Sequence, residues 1–179
     1  MKPAPAPPYA GPPHFEGPTF CGGSILILVG GGMVSGTLAR AGARDAAKIA
    51  AVARAARGLS KRIIAVYQPH GFGPTRFLKD EYIATFRTIF GDNDALYLLP
   101  IYYAGGTAQK DISSGDIIQG LGTVPFHAEA VKDREVLLTR LKTDARPEDC
   151  VLLMGARDPS LPSLVQKIVD QFGGSDDRA

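Results

Sequence analysis

Residues 61–76 read KRIIAVYQPHGFGPTR, and their reading decides the fold. After two basic residues, Ile63-Ile64-Ala65-Val66-Tyr67 is an unbroken apolar run rich in β-branched side chains. A strand with one wet face alternates apolar and polar residues, so a run without alternation is a strand covered on both faces, as parallel sheets require. The second half holds Pro69, His70, Gly71, Gly73, Pro74 and Arg76, residues that stop a strand and turn the chain. A helix-spaced segment then follows over 76–90, with Phe77, Ile83, Phe86 and Phe90 as a core face. Thr75 is expected to cap it, and Asp80-Glu81 to give it an acidic first turn that suits the helix dipole.

The same alternation continues in both directions. Upstream, 24–29 (SILILV) reads as a buried strand and 37–57 as an Ala-rich helix with Ile49, Val52, Ala53 and Ala56 on one stripe. Downstream, 95–99 is a strand, 113–120 a short helix begun by a serine pair, and 124–126 (VPF) an edge strand. Residues 135–142 are helical, 150–154 form a strand, and 163–172 close the pattern as a helix. Strands alternating with helices at these short spacings predict an α/β fold, a mostly parallel Rossmann-like sheet with helices on both faces. Ligands of such sheets gather at loops leaving the carboxyl ends of strands. Here those loops are 68–75, 100–111 and 155–162.

The chain has 179 residues, 45% hydrophobic and 21% charged, an ordinary globular balance and enough for one core. A formal charge of +2 argues against a nucleic-acid or membrane surface. Seven of the fourteen prolines lie within residues 1–18, so 1–20 is expected to be a flexible segment, followed by an atypical strand and helix start over 21–47 and the main domain over 48–175. No apolar run approaches the ~20 residues that span a bilayer, and the proline-rich start lacks the apolar centre of a signal peptide. Cys21 and Cys150 have no metal-ligand spacing and read as reduced thiols of a cytosolic protein.

Several motifs carry chemistry. The run Gly30-Gly31-Gly32 with Gly36 follows a strand, yet Ser35 stands where a dinucleotide fingerprint needs its third glycine, so a glycine turn competes with a phosphate cradle. No Gly-Lys-Ser or Gly-Lys-Thr occurs, hence no P-loop. His70, in the loop after a buried strand, is either a structural hydrogen-bonder or a ligand contact that titrates near neutral pH. Arg76 at a helix start is unfavourable for the dipole, which favours contact with an anion. Tyr103, beside Gly105-Gly106, either packs or stacks on a ligand. Gly155 permits close backbone approach, and Asp158 either meets a ligand or pairs with Arg157.

Taken together, "KRIIAVYQPHGFGPTR", "DALYLLPIYYAGGT" with "DISS" behind it, and "VLLMGARD" resemble the C-terminal domain of the Mur ligases over about residues 48–172. The resemblance implies an ATP- and Mg²⁺-dependent ligation in peptidoglycan synthesis. UDP-N-acetylmuramate supplies the carboxylate and an amino acid, L-alanine in the most similar branch, supplies the amine. It also implies a closing domain that works with a central P-loop domain and a UDP-binding domain, so that this chain alone is expected to be inactive. His70 matches the histidine of the family's Gln-Pro-His motif and Arg76 the last arginine of the turn after it. Tyr103, Gly155 and Asp158 complete the expected substrate-binding set, with no metal ligand and no catalytic residue among them.

Two departures qualify the resemblance. Gly71 and Pro74 stand where many members carry arginines expected to grip carboxylate or phosphate. Before Lys48, Ala41-Gly42-Ala43-Arg44 replaces an Asp-Tyr-Ala-His segment. The match is therefore expected to begin near Lys48, as a truncated or frameshifted reading frame or a rearrangement would produce. Two other readings stand beside the ligase domain: a stand-alone α/β module that binds a small anion, a nucleotide or a protein, and a degenerate fragment.

Overall fold

The computed structural model describes residues 26–30, 38–155 and 158–173. The proline-rich start, Cys21, the glycine run after the first strand and Arg157 lie outside them. The element order is β1 (Leu26–Gly30), α1 (Leu38–Arg57), β2 (Ile63–Gln68), α2 (Phe72–Ile89), β3 (Ala95–Leu98), α3 (Ser114–Leu121), β4 (His127–Ala130), α4 (Arg134–Asp144), β5 (Cys150–Gly155) and α5 (Leu161–Gly173). The five strands form one sheet in the order β1-β5-β2-β3-β4, every neighbouring pair parallel. The expected α/β architecture is therefore the one observed.

The unbroken apolar run is explained by how β2 divides its side chains. Ile63, Ala65 and Tyr67 enter one core with Ile49, Ala53, Leu78, Phe86 and Ile117, residues of α1, α2 and α3. Ile64 and Val66 enter a second core with Leu137, Leu141, Leu164 and Ile168 of α4 and α5. Ile63, Ile64, Ala65 and Val66 are all 0% exposed. Burying an Ile or Val side chain contributes about 1.5–3 kcal/mol, so this one strand fastens both helical layers to the sheet. Strand β5 splits likewise, with Cys150, Leu152 and Met154 on the first side and Val151 and Leu153 on the second. Burial raises the Cys150 thiol to about 11, which keeps it protonated and inert.

Helix α2 starts earlier than its sequence pattern suggests. Gly71, at φ 71°, is the residue before its first turn, and no side chain caps it. A Cβ on Gly71 would lie 3.2 Å from Pro74 Cδ, so the glycine both makes the turn and accommodates the proline. Pro74 is tolerated because the first-turn N–H groups have no intrahelical partner anyway. Thr75, expected as the cap, lies inside the helix and is fully buried, and Asp80-Glu81 sit in mid-helix rather than in the first turn. The inward face is Thr75, Leu78, Tyr82, Ile83 and Phe86. Phe77, expected in the core, is 57% exposed because it falls outside that stripe.

The edge strand also shifts. Pro125 cannot donate to a ladder, and pairing begins at His127, with Ala95 opposite it. Phe126 is buried instead and meets the Phe90 ring edge-on at 5.6 Å. Helix α3 approaches α2 closely, since a Cβ on Gly120 would fall 2.3 Å from Ile83 Cδ1. Its start matches the serine-pair signal: Ser113 accepts from the Asp116 amide, and Asp116 accepts from the Ser113 amide in return.

At the amino ends of the strands, carboxylates collect orphan donors. Asp94, almost fully buried, accepts from the amides of Ile63 (2.9 Å) and Gly91 (2.8 Å) and pairs with Arg57. Arg62 donates to Asp149 (2.6 Å), Asp144 (2.7 Å) and the Asn93 carbonyl (2.7 Å). Replacing Asp94 by Ala strands two amides and a guanidinium. We expect a loss of roughly 3 kcal/mol in urea unfolding, against less than about 0.5 kcal/mol for the exposed Asp80→Ala.

At the start of α5, Asp158 accepts from the Ser160 amide (2.9 Å) and hydroxyl (2.5 Å) and from Arg134 of α4 (2.6 Å). Burial alone would raise its pKa, but Ser160, Arg134 and Gln68 outweigh burial and hold it below the ordinary 3.8. A depressed carboxylate stabilises the fold above its unfolded pKa and ceases to do so as pH falls through its folded one. The stability gap between the native chain and Asp158→Asn should hold from neutral pH down to about 4 and narrow below it, as read by denaturant midpoints at successive pH values.

Candidate functional site

Three loops meet at the carboxyl ends of β2, β3 and β5. Past the strands proper, the backbone remains stitched: Leu99 N–H donates to the Tyr67 carbonyl (3.0 Å), Tyr102 N–H to Pro69 (2.8 Å) and Gly71 N–H to Tyr102 (2.8 Å). His70 and Tyr102 form a parallel bridge in this extension. The loop of the Gln-Pro-His residues and the loop carrying the tyrosine pair are thus held together by backbone, and His70 lies partly exposed on their shared rim.

Side chains complete the contact. The rings of Phe72 and Tyr103 meet edge to face at 5.3 Å, and Lys110 Nζ lies 6.0 Å from the first and 5.5 Å from the second. That is cation–π range. The Tyr103 hydroxyl accepts from the Ala108 amide at 2.9 Å. Arg76 reaches the same loop, where it pairs with Asp111 and donates to the Gln109 carbonyl at 3.1 Å. Its expected anion is present, but it is a carboxylate of this chain.

The third loop joins through β2. Gln68 stands opposite Gly155 in the register of β2 with β5. A Cβ on Gly155 would lie 2.9 Å from Leu161 Cδ1 and 3.3 Å from Gln68 Cβ, so glycine is needed for packing of the strand end against α5. Gln68 also hydrogen-bonds to Asp158. Its Oε1 is buried without a hydrogen-bond partner. Asp158 faces Arg134 and Ser160, so the carboxylate serves the joint between α4 and α5.

The structure therefore brings His70, Arg76 and Tyr103 into one contiguous rim and sets Gly155 and Asp158 beside it through Gln68. Sequence reasoning missed Gln68, Phe72, Lys110, Asp111 and Arg134. The first two lie in the opening stretch and were legible as residues of a strand-end loop. The pairing of Arg134 with Asp158 spans 24 positions and leaves no local signal. A separate shallow groove, lined by Arg57, Lys61, Phe90 and Asp94 among others, lies at the opposite edge of the sheet, where Arg57 is engaged by Asp94.

Among the described residues no group of three or more His, Cys, Asp or Glu is placed to hold a metal ion. The sequence contains no Gly-Lys-Ser or Gly-Lys-Thr. No described helix is long and apolar enough to cross a membrane.

No protein-family model matches the chain. Individual proteins do. It is 36% identical over 111 residues to the UDP-N-acetylmuramate–L-alanine ligase of Dinoroseobacter shibae, covering 61% of this chain and 23% of that protein. The enzyme of the same name from Gloeobacter violaceus is 32% identical over 129 residues, 70% of this chain and 27% of its own. That from Cereibacter sphaeroides is 37% identical over 111 residues, covering 61% and 23%. The chain thus spans about a quarter of the length of the curated relatives it matches. Over the stretch those alignments cover, this chain is a homologue of the Mur ligases.

Proposed function

We propose that the chain supplies the C-terminal, closing domain of an ATP-dependent ligase that joins an amino acid, L-alanine first, to UDP-N-acetylmuramate in cytoplasmic peptidoglycan synthesis. The observation that carries this reading is the 32–37% identity to ligases of that name. The geometry agrees in one respect: the Gln68-Pro69-His70 loop sits at a strand carboxyl end, where α/β sheets place ligands.

In this reading His70 and Arg76 face the amino acid from one wall of a cleft, with Tyr103 beside them. The opposite wall, with the P-loop that holds ATP and Mg²⁺, belongs to a central domain. ATP supplies the phosphoryl group that activates the sugar carboxylate. The work left to this chain is to orient the amine, close over the reacting groups and keep water out.

A second reading, a stand-alone non-catalytic module whose partner is a protein or a small anion or nucleotide other than the ligase substrates, draws support from Gly71 and Pro74. Without arginines there, the rim presents fewer forks for a substrate carboxylate or phosphate.

The readings separate in a reconstitution. Purified chain mixed with the central and UDP-binding domains of a homologous ligase should form UDP-N-acetylmuramyl-alanine and release inorganic phosphate, while the chain alone does neither. Absence of product from every mixture would end the ligase reading. In the active mixture, His70→Ala and Arg76→Ala should each lower kcat/KM by roughly tenfold or more, the loss of one charged or hydrogen-bonded contact. Saturable nucleotide or amino-acid binding by the isolated chain, indifferent to both substitutions, would support the second reading.

A further inference from the structure

We propose that residues 104–111 form a strap latched over the rim by Asp111, and that an anionic ligand opens it by taking the place of the Asp111 carboxylate on Arg76. The inference concerns this chain's own loop and holds whether or not the chain serves a ligase.

Every residue from Ala104 to Asp111 is exposed, so no side chain of the segment is embedded in a core. Its flanks are firmly held. On one side Tyr102 is bonded into the backbone of the Pro69–Gly71 turn. On the other, Ile112 is buried and the buried Ser114 hydroxyl donates to the Leu99 carbonyl at 2.6 Å. Gly105 and Gly106, at φ 111° and 120°, adopt conformations that other residues rarely take, and they place the bend at the start of the segment.

What holds the segment down is polar and few in number. Arg76 grips it through Asp111 and the Gln109 carbonyl, the Tyr103 hydroxyl takes the Ala108 amide, and Lys110 lies against the two rings. Arg76 and Asp111 side chains are 45% and 41% exposed, so their attraction is screened by solvent. A segment held this way opens locally at a small free-energy cost, without disturbing the sheet.

Opening has a defined chemical result. Arg76 is released with its guanidinium beside the first turn of α2, the Phe72 and Tyr103 rings lose the strap and its lysine, and these groups become available together. A guanidinium accepts a carboxylate or a phosphate in the way it accepts Asp111. Closed, the strap offers Arg76 its own anion, so a ligand must outcompete an internal one. Lys110 moves with the same strap, so exchange at Arg76 and uncovering of the rings are coupled.

The Ala108 amide, bonded to Tyr103, reports the latch, and the Leu99 and Tyr102 amides report the flanking sheet extension. Amide exchange measured by NMR on the full chain should rise about two- to fivefold at Ala108 in Asp111→Asn, the range expected for loss of an exposed ion pair, with Leu99 and Tyr102 unchanged. Adding inorganic phosphate or acetate should raise Ala108 exchange in the native chain beyond chloride at equal ionic strength. In Arg76→Ala the rate should already be raised and indifferent to either anion. A response to phosphate alone identifies a phosphoryl ligand, and a response to both admits carboxylates. Unchanged Ala108 exchange in Asp111→Asn, a parallel rise at Leu99 and Tyr102, or an equal effect of chloride would each overturn the proposal.

Discussion

The structure depends on one constraint: its central strands have no wet face. Strand β2 gives alternate side chains to two different cores, and both cores are closed by helices, so Ile63 to Val66 are all apolar and Gln68 stands only at the strand's end. Polar chemistry is confined to the two ends. The strands' parallel arrangement then assigns the ends opposite roles. At the amino ends, N–H groups that start the strands need acceptors, and Asp94, Asp144 and Asp149 gather there with Arg57 and Arg62. At the carboxyl ends the chain must leave the sheet and turn into helices, and the loops that do so carry His70, Arg76, Tyr103 and Lys110. The first edge is a closed set of ion pairs and hydrogen bonds. The second keeps the Arg76 and Lys110 cations exposed beside the half-buried Phe72 and Tyr103 rings.

That division explains how much could be read before any coordinates. An unbroken run such as Ile63 to Tyr67 has one physical interpretation, so the parallel sheet was legible, and with it the end of the sheet from which the strand-to-helix loops leave. The start of α2 was not, because Gly-Phe-Gly-Pro carries turn signals while Pro74 is also at home in a first helical turn. One wrong boundary misplaced Thr75, Asp80 and Phe77 together, since all three assignments assumed the same register. Edge strand β4 was displaced for a similar local reason, Pro125 breaking a ladder that could only begin after it.

The rim was legible in its members and illegible in its pairings. Arg76 and Tyr103 stand out by residue type and loop position, but nothing in the sequence couples Arg76 to Asp111, 35 positions away, or Asp158 to Arg134. Such pairs are decided by which loops the sheet order brings side by side. The consequence for function is specific. A basic residue identified as an anion contact meets an internal carboxylate, and a carboxylate expected to meet a ligand holds two helices together.

Strand order carries one more implication, for synthesis of the chain. Strand β5, the last of the five in chain order, lies between β1 and β2 and forms the link between β1 and the rest of the sheet. A nascent chain that has emerged only as far as α4 has the β2 edge unpaired and β1 without its neighbour. Until the ribosome has released the residues through Gly155, that apolar border is open to other chains, and these five strands cannot join into one sheet before β5 slots between β1 and β2.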